Sequence, residues 1–453
     1  GVDMFTKIRM KNFYSFNDVT FDLSDGTNSY KSLAIVYGEN GSGKTNLMSG
    51  LGIFIDLMRT MDVRDMIEQI LYDQEHPKGA SEPLHKISRQ DLAHVLRSSE
   101  NLFDECRMIG CNEPVYLQYD FIIKGKKGSY IVEFGADGII HEKLEYVLEK
   151  RKGTYFDLTS DKQSINKALF KSDTLKTDVT AQLKRFWGKH TFLAIILHEM
   201  NDKSEQYFDE GLLGNFLILL HEFFKVSCFI KNSRNPHALI SGQSKETILL
   251  NIENGSIGKG NVGIIDRTEK TLTSLFKSIN SDNQELYYKK IPNGDDSIDY
   301  SLRIKKRISG EIRDMPFEFE SYGNHQIIDI LPFLFRALSG ETVVLDEADS
   351  GIHDLLYSKI ISEAIPHIKG QLIMTTHNTL LLEIPKIKDY IYIVRENEEA
   401  DREVVTVSES GERIFQQTSI RNKYLSGAFG GAPHVGTIDF EGLLNVIEAN
   451  NEK

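Results

Sequence analysis

Eight consecutive residues, Gly38-Glu39-Asn40-Gly41-Ser42-Gly43-Lys44-Thr45, have the types and spacing of a phosphate-binding loop. Glycines at 38, 41 and 43 let successive backbone N–H groups, including those of Asn40 and Ser42, turn toward phosphate oxygens. Lys44 supplies a point charge to the β and γ phosphates, Thr45 a hydroxyl for Mg²⁺, and Asn46 opens the helical pattern that follows. A second group lies 302 residues on (346 minus 44), where the apolar run Thr342 to Leu345 ends in Asp346-Glu347. One carboxylate there can hold Mg²⁺ through water and its neighbour can activate the attacking water. A third apolar run, Gln371 to Thr376, ends in His377, where a switch histidine could reach a γ-phosphate. An acidic pair after a strand is common, and a lone histidine there is usually structural. Their order behind a phosphate loop is what points to hydrolysis of ATP with Mg²⁺.

Elements must bring these groups together. Alternation over residues 5–23 (Phe5, Ile8, Met10, then Val19, Phe21, Leu23) predicts two strands joined through Asn12 to Asn17. Ser32 to Tyr37 reads as a buried strand running into the glycine turn, with a helix from Asn46 to about Met61. Residues 62–110 are polar and helical around a loop at His76 to Pro83, 115–148 return to strands, and 160–230 are dominated by helical periodicity. Residues 231–262, rich in Asn, Ser and Gly, read as a linker. Helix returns at Thr268 to Ile279, strands at 285–321, and an alternating α/β block fills 322–395. The acidic cluster Glu396, Glu398, Glu399 and Asp401 reads as a solvated hairpin.

The 453 residues are too many for one ordinary domain. With 66 acidic against 53 basic residues the net charge is −13, which disfavours holding nucleic acid by charge alone. Cys106, Cys111 and Cys228 give neither a disulfide framework nor a zinc pattern, and reduced thiols in a cytoplasmic protein are expected. No apolar stretch approaches the roughly 20 residues of a membrane span, and no leader pattern opens the chain. Gly1-Val2-Asp3 before Met4 reads as a cloning remnant.

The pair of strands carrying Ile8-Arg9-Met10-Lys11-Asn12-Phe13-Tyr14-Ser15-Phe16, the phosphate loop behind it, and the distant block with Asp346-Glu347 and His377 together resemble the ABC-type ATPase heads of SMC, Rad50 and RecF proteins. The resemblance implies an α/β fold: an ABC-type P-loop ATPase head with a mixed sheet and an inserted, mainly helical domain. It divides the chain into an N-terminal lobe over 1–61, an inserted helical and strand region over 62–310, a C-terminal lobe over 311–435 and a tail over 436–453. It also implies a signature motif at Glu320-Ser321-Tyr322-Gly323-Asn324-His325-Gln326, with Ser321 and Gly323 as nucleotide contacts, and a D-loop at Asp349 to His353. Asn324 and His325 depart from the family's Gly-Gly or Gly-Thr, which implies slow hydrolysis. In such heads the signature of one copy closes over nucleotide bound to another, so a homodimer or higher homo-oligomer is implied.

The Asp346 to His353 run, the strand-His block and the tail Arg421 to Pro433 further resemble predicted ATPases of bacterial anti-phage systems of the PARIS, Septu and Rlo/Abi types. That implies an oligomeric sensor or scaffold with a phage-encoded trigger and a separate nuclease or toxin effector. Only 76 residues follow His377 (453 minus 377), with no second metal-binding constellation in them, so any nuclease acts in trans. The competing reading is a DNA-clamping head of RecF type, which would use Arg303, Lys305, Lys306 and Arg307, or Lys150, Arg151 and Lys152, on nucleic acid. A transporter subunit fits poorly, because its acidic strand lies much closer to the phosphate loop, and no membrane is implied.

Overall fold

The computed structural model describes residues 4–26, 29–76, 87–231, 236–240, 248–294, 296–415, 418–433 and 436–451. The chain opens on an antiparallel pair, β1 (Met4–Phe13) and β2 (Phe16–Asp22). Asn12 and Tyr14 hold the connecting turn in left-handed conformations, φ 52° and 48°. Next comes β3 (Leu33–Tyr37), five buried apolar residues in a row, the pattern of a strand covered on both faces. The phosphate loop leads from it into α1 (Lys44–Glu75). α2 (Arg89–Val95) and α3 (Ser99–Glu105) precede a meander of β4 (Val115–Ile123), β5 (Lys126–Gly135), β6 (Gly138–Val147), β7 (Lys152–Thr159) and β8 (Gln163–Ile165).

Four helices follow, α4 (Asp173–Phe186), α5 (Phe192–Asp202), α6 (Glu205–Gly211) and α7 (Gly214–Phe223). The chain continues through β9 (Val226–Lys231), β10 (Pro236–Ile240), β11 (Asn254–Gly258), α8 (Gly263–Ile279), β12 (Asn283–Asn293), β13 (Ser297–Ile308) and β14 (Glu311–Pro316). The C-terminal part holds α9 (Tyr322–Ser339), β15 (Thr342–Leu345), α10 (Asp354–Ala364), β16 (Gln371–Thr375), β17 (Ile391–Glu396), β18 (Arg402–Thr406), α11 (Ile420–Leu425) and α12 (Phe440–Asn451).

These strands form one sheet in the order β2-β1-β4-β5-β6-β7-β8, antiparallel throughout, and a second in the order β10-β9-β15-β16-β3-β17-β18. The second is parallel from β9 to β17 and antiparallel at both outer pairs, the mixed sheet expected. A smaller sheet, β11-β13-β12 with β14 on β13, precedes α9. The first half of α1 is buried all round, with Leu47, Leu51, Phe54, Leu57 and Met61 inaccessible, because it packs against both large sheets. Phe54 meets the rings of Phe5, Tyr119 and Phe223 at 5.1, 4.9 and 4.9 Å, and the Tyr119 hydroxyl donates to the Gly50 carbonyl at 2.6 Å. Truncating such a ring to alanine costs about 3–5 kcal/mol, so α1 is anchored firmly behind the loop that starts it.

The region 62–310 differs from a mainly helical insertion. Its β4–β8 extend the sheet begun by β1 and β2, and its β9 and β10 complete one side of the parallel sheet. The helical reading of 160–230 missed β9, whose Val226 to Ile230 mixes apolar and small residues that fit either period. Of the 231–262 segment expected as a linker, 236–240 and 254–258 are strands, while 232–235 and 241–247 lie outside the described residues. The loop expected at His76 to Pro83 falls almost wholly outside them as well, and the tail carries α12.

Candidate nucleotide-binding site

β15, β16 and β3 are neighbours in the parallel sheet, with Leu345 opposite Met374 and Thr375 opposite Val36. Their carboxyl ends therefore meet at one edge, and each delivers one of the groups singled out in the sequence. Behind β3, Gly41 and Gly43 take φ 80° and 105°, conformations that a side chain rarely adopts. A Cβ at Gly43 would also sit 2.9 Å from the Phe16 ring, so the β1–β2 turn presses on the loop. Lys44 is buried, and its ammonium donates to the Gly38 and Glu39 carbonyls at 2.7 and 3.0 Å. Burial lowers its pKa, opposed by the nearby Glu347 and Asp346 carboxylates. The Ser42 hydroxyl is buried with no hydrogen-bond partner among the described residues. Asn46 donates to the Ser15 hydroxyl at 2.8 Å.

Asp346 is inaccessible at the end of β15, and burial pushes its carboxyl up to about 6. Thr375 donates to its Oδ1 at 2.7 Å. Its Oδ2 is buried without a partner of hydrogen-bond geometry, although the Thr45 hydroxyl lies near enough to favour the charged form. A buried carboxylate oxygen held next to a hydroxyl, beside the glycine loop and the Lys44 ammonium, suits a divalent cation bound with phosphate. Glu347 has φ 47°, a strained conformation for a non-glycine residue, and its N–H donates to the same Thr375 hydroxyl at 2.8 Å. The turn keeps its carboxylate half-exposed, 3.4 Å from His377 Nε2. A cleft of about 440 Å³ is lined by Ser15, Asn40, Gly41, Gly43, Lys44, Thr45, Asn46 and Glu347. Thr375 and Ser15 were missed in the sequence. The polar pair Thr375-Thr376 at the end of an apolar strand was the available signal.

His377 is placed by Asp349, whose Oδ2 accepts from the Thr376 hydroxyl at 2.8 Å and from the N–H groups of His377 and Asn378 at 3.0 and 3.1 Å. Ser321 caps α9, accepting from the Asn324 N–H at 3.4 Å. Gly323 is required by packing, since a Cβ there would lie 2.9 Å from the Gly351 carbonyl. Thus Asp349 to His353 touches both the histidine loop and the start of α9. Ser321 and Gly323 are not among the residues lining the cleft of their own chain. Asn324 and His325 turn inward instead, to Glu320 at 2.6 Å and Glu253 at 3.1 Å.

The basic stretch of β13 is largely neutralised within the chain. Arg303 pairs with Asp314, Lys305 with Glu285 and Lys306 with Glu320, at 3.0, 2.6 and 3.0 Å. Of the second cluster, Lys152 pairs with Glu145 at 3.0 Å. All three cysteines are free thiols, and no helix among the described residues is long and apolar enough to cross a membrane.

Two family models match the chain. An AAA-domain model covers residues 7–56, and a second, described as "AAA domain, putative AbiEii toxin, Type IV TA system", covers 229–383. The first contains the phosphate loop; the second contains Ser321, Asp346, Glu347 and His377. No curated protein matches the chain. Similar solved structures include the SMC head domain from Thermotoga maritima, at 13% identity over 89% of this chain and 98% of that one, with a TM-score of 0.35. The Smc head domain bound to the C-terminal domain of ScpA, from Pyrococcus furiosus, aligns at 14% identity over 89% and 96%, with a TM-score of 0.39. The recombination mediator RecF aligns at 10% identity over 90% and 98%, with a TM-score of 0.33. The phosphate loop and the two AAA matches together mark the chain as an ATPase.

Proposed function

We propose that the chain works as a homo-oligomer in which ATP lies between the phosphate loop of one copy and the Ser321 end of α9 of another. The observation that carries this reading is that Ser321 and Gly323 stand away from their own cleft while large apolar side chains around them are open to solvent. Phe319, Tyr322 and Leu355 are 69%, 61% and 66% exposed. Three large exposed apolar groups flanking two polar loops fit a surface that a second copy covers.

Within one site, Gly41, Gly43 and Lys44 bind the phosphates, and Thr45 and Asp346 would hold Mg²⁺, whose charge offsets that of the phosphate oxygens. Glu347 accepts a proton from the attacking water as its oxygen bonds the γ-phosphorus and the bond to the ADP oxygen breaks. His377, steered by Asp349, contacts the γ-phosphate. Thr375 holds both acidic residues in place through one hydroxyl.

The finer role we propose is a cytoplasmic sensor or scaffold of bacterial anti-phage defence that restrains a separate nuclease or toxin. Its support is the toxin–antitoxin description of the 229–383 match, together with the sequence resemblance. A DNA clamp has less support, because three of the four β13 cations, Arg303, Lys305 and Lys306, are engaged by carboxylates. The test is sedimentation of Glu347→Gln with Mg²⁺ and ATP. A shift to a dimer or larger assembly is expected, and a monomer at saturating nucleotide would overturn the reading.

A further inference from the structure

The segment from Ser419 to Ala432 packs behind the phosphate loop. Ser419 caps α11 by accepting from the Asn422 N–H at 3.2 Å, and Arg421 donates to the Thr379 hydroxyl and to Glu383, each at 3.1 Å. These contacts fix α11 to the turn that follows His377. Beyond it Phe429 is inaccessible, its carbonyl accepts from Arg395 at 3.2 Å, and Gly430 takes φ 75°. The bend lays Gly431 against the entry of the loop, where a Cβ would come 2.4 Å from the Ile393 side chain and 3.6 Å from the Gly38 Cα.

Tyr424 fills the space between. Its ring is buried with its centroid 5.2 Å from that of Tyr37, whose hydroxyl donates to the Asn378 carbonyl at 2.8 Å. Its own hydroxyl donates to the Gly431 carbonyl at 3.1 Å and lies beside the Gly38 N–H. Burial pushes this phenol up to about 12, against the Gly38 N–H that favours the charged form, so the proton stays on for donation. Gly38 is crowded on other sides too. A Cβ there would meet Ser42 Oγ at 2.6 Å and the Val394 carbonyl at 2.8 Å, and its own carbonyl accepts from Lys44. A Cβ on Gly41, at the crest of the loop, would meet nothing within 4 Å. The loop is thus held at its entry and open where phosphate must come in. Phenylalanine at 424 would keep the ring packing and lose both polar contacts. We propose that Tyr424 is a positioning residue for nucleotide binding, whose hydroxyl holds Gly38 and Gly431 together so that the phosphate loop keeps its binding shape before ATP arrives.

This inference rests on the reading that the loop binds ATP. It is tested with Tyr424→Phe in the full chain, by calorimetric titration with ADP and Mg²⁺ and by steady-state hydrolysis of ATP. The Kd for ADP and the KM for ATP should each rise about 3- to 10-fold, the range for one lost hydrogen bond, with kcat within about twofold. A purely structural role would lower the folded, active fraction instead, reducing kcat at unchanged KM and Kd. Unchanged Kd and KM in Tyr424→Phe overturn the inference, whether or not kcat falls. Gly431→Ala, which pushes a methyl toward Gly38 from the opposite side, should raise the same two constants and is judged by the same criterion if Tyr424→Phe does not fold. No affinity of the wild type for ADP or ATP would sink the reading of the loop itself, and the inference with it.

Discussion

Replacing Asp346 by asparagine should make the nucleotide-free protein more stable while destroying its hydrolysis. The carboxyl is inaccessible and is pushed from an ordinary 3.8 up to about 6, chiefly by burial. A group whose folded pKa is raised contributes stability that is complete below its unfolded value and is lost as pH rises through the folded value. The wild type should therefore weaken between about pH 4 and pH 6, by about 3 kcal/mol for a shift of about 2 units. Asparagine keeps an oxygen for the Thr375 hydroxyl and carries no charge to desolvate, so the variant should lack this pH dependence. The assay is urea unfolding at pH 4, 6 and 8 without nucleotide, then with saturating Mg²⁺ and ATP. Without nucleotide the variant should gain on the wild type progressively from about pH 4 to pH 6 and keep that advantage, without further change, at pH 8. With nucleotide at 100 times its Kd the gap should nearly close, since bound ligand adds about 2.7 kcal/mol to the wild type alone, and at 1,000 times its Kd, about 4.1 kcal/mol, the order should reverse. A variant less stable than the wild type at pH 8 without ligand would refute the claim that an uncompensated buried carboxylate is kept there for the metal.

Four further outcomes are expected. Glu347→Gln should retain ATP and lower the turnover rate by roughly 10²- to 10⁴-fold, read by single-turnover phosphate release. Thr375→Val should slow turnover by about tenfold or more at nearly unchanged ATP affinity, because one hydroxyl holds both the Asp346 carboxylate and the Glu347 N–H. Gly43→Ala should abolish nucleotide binding in a calorimetric titration and cost about 1–3 kcal/mol, since it forces φ 105° on a side chain directed at the Phe16 ring. Duplex DNA binding, measured from 50 to 200 mM salt, should show a shallow slope of no more than about two phosphates; a slope of six or more would revive the clamp reading.

The phosphate loop, the acidic pair and the histidine were legible because each ends a short apolar strand, and the parallel sheet then brings three strand ends together. The order of those strands was not legible. Nothing local in Val226 to Lys231 says that it pairs with Thr342 to Leu345, more than 100 residues away. For the same reason the middle region read as a separate insertion, whereas its strands complete both large sheets. Thr375 escaped notice because its role depends on facing Asp346 across a strand pair, which residue spacing alone does not encode. The inward turn of Asn324 and His325 was equally hidden, since Glu253 lies 72 residues from His325 in the sequence. The start of α9 at Tyr322, capped by Ser321, was not read from spacing either; Ser321 was singled out only through the family resemblance.

The claim that nucleotide is shared between copies is tested most directly by mixing two inactive variants. Lys44→Ala lacks a working phosphate loop and Ser321→Arg a working α9 end; each alone should fail to hydrolyse ATP. In a randomly mixed dimer population about half the molecules pair the two, each with one of two sites intact, so about a quarter of the wild-type rate should return. No recovery at any mixing ratio, or full activity of Ser321→Arg by itself, would contradict a site built from two chains.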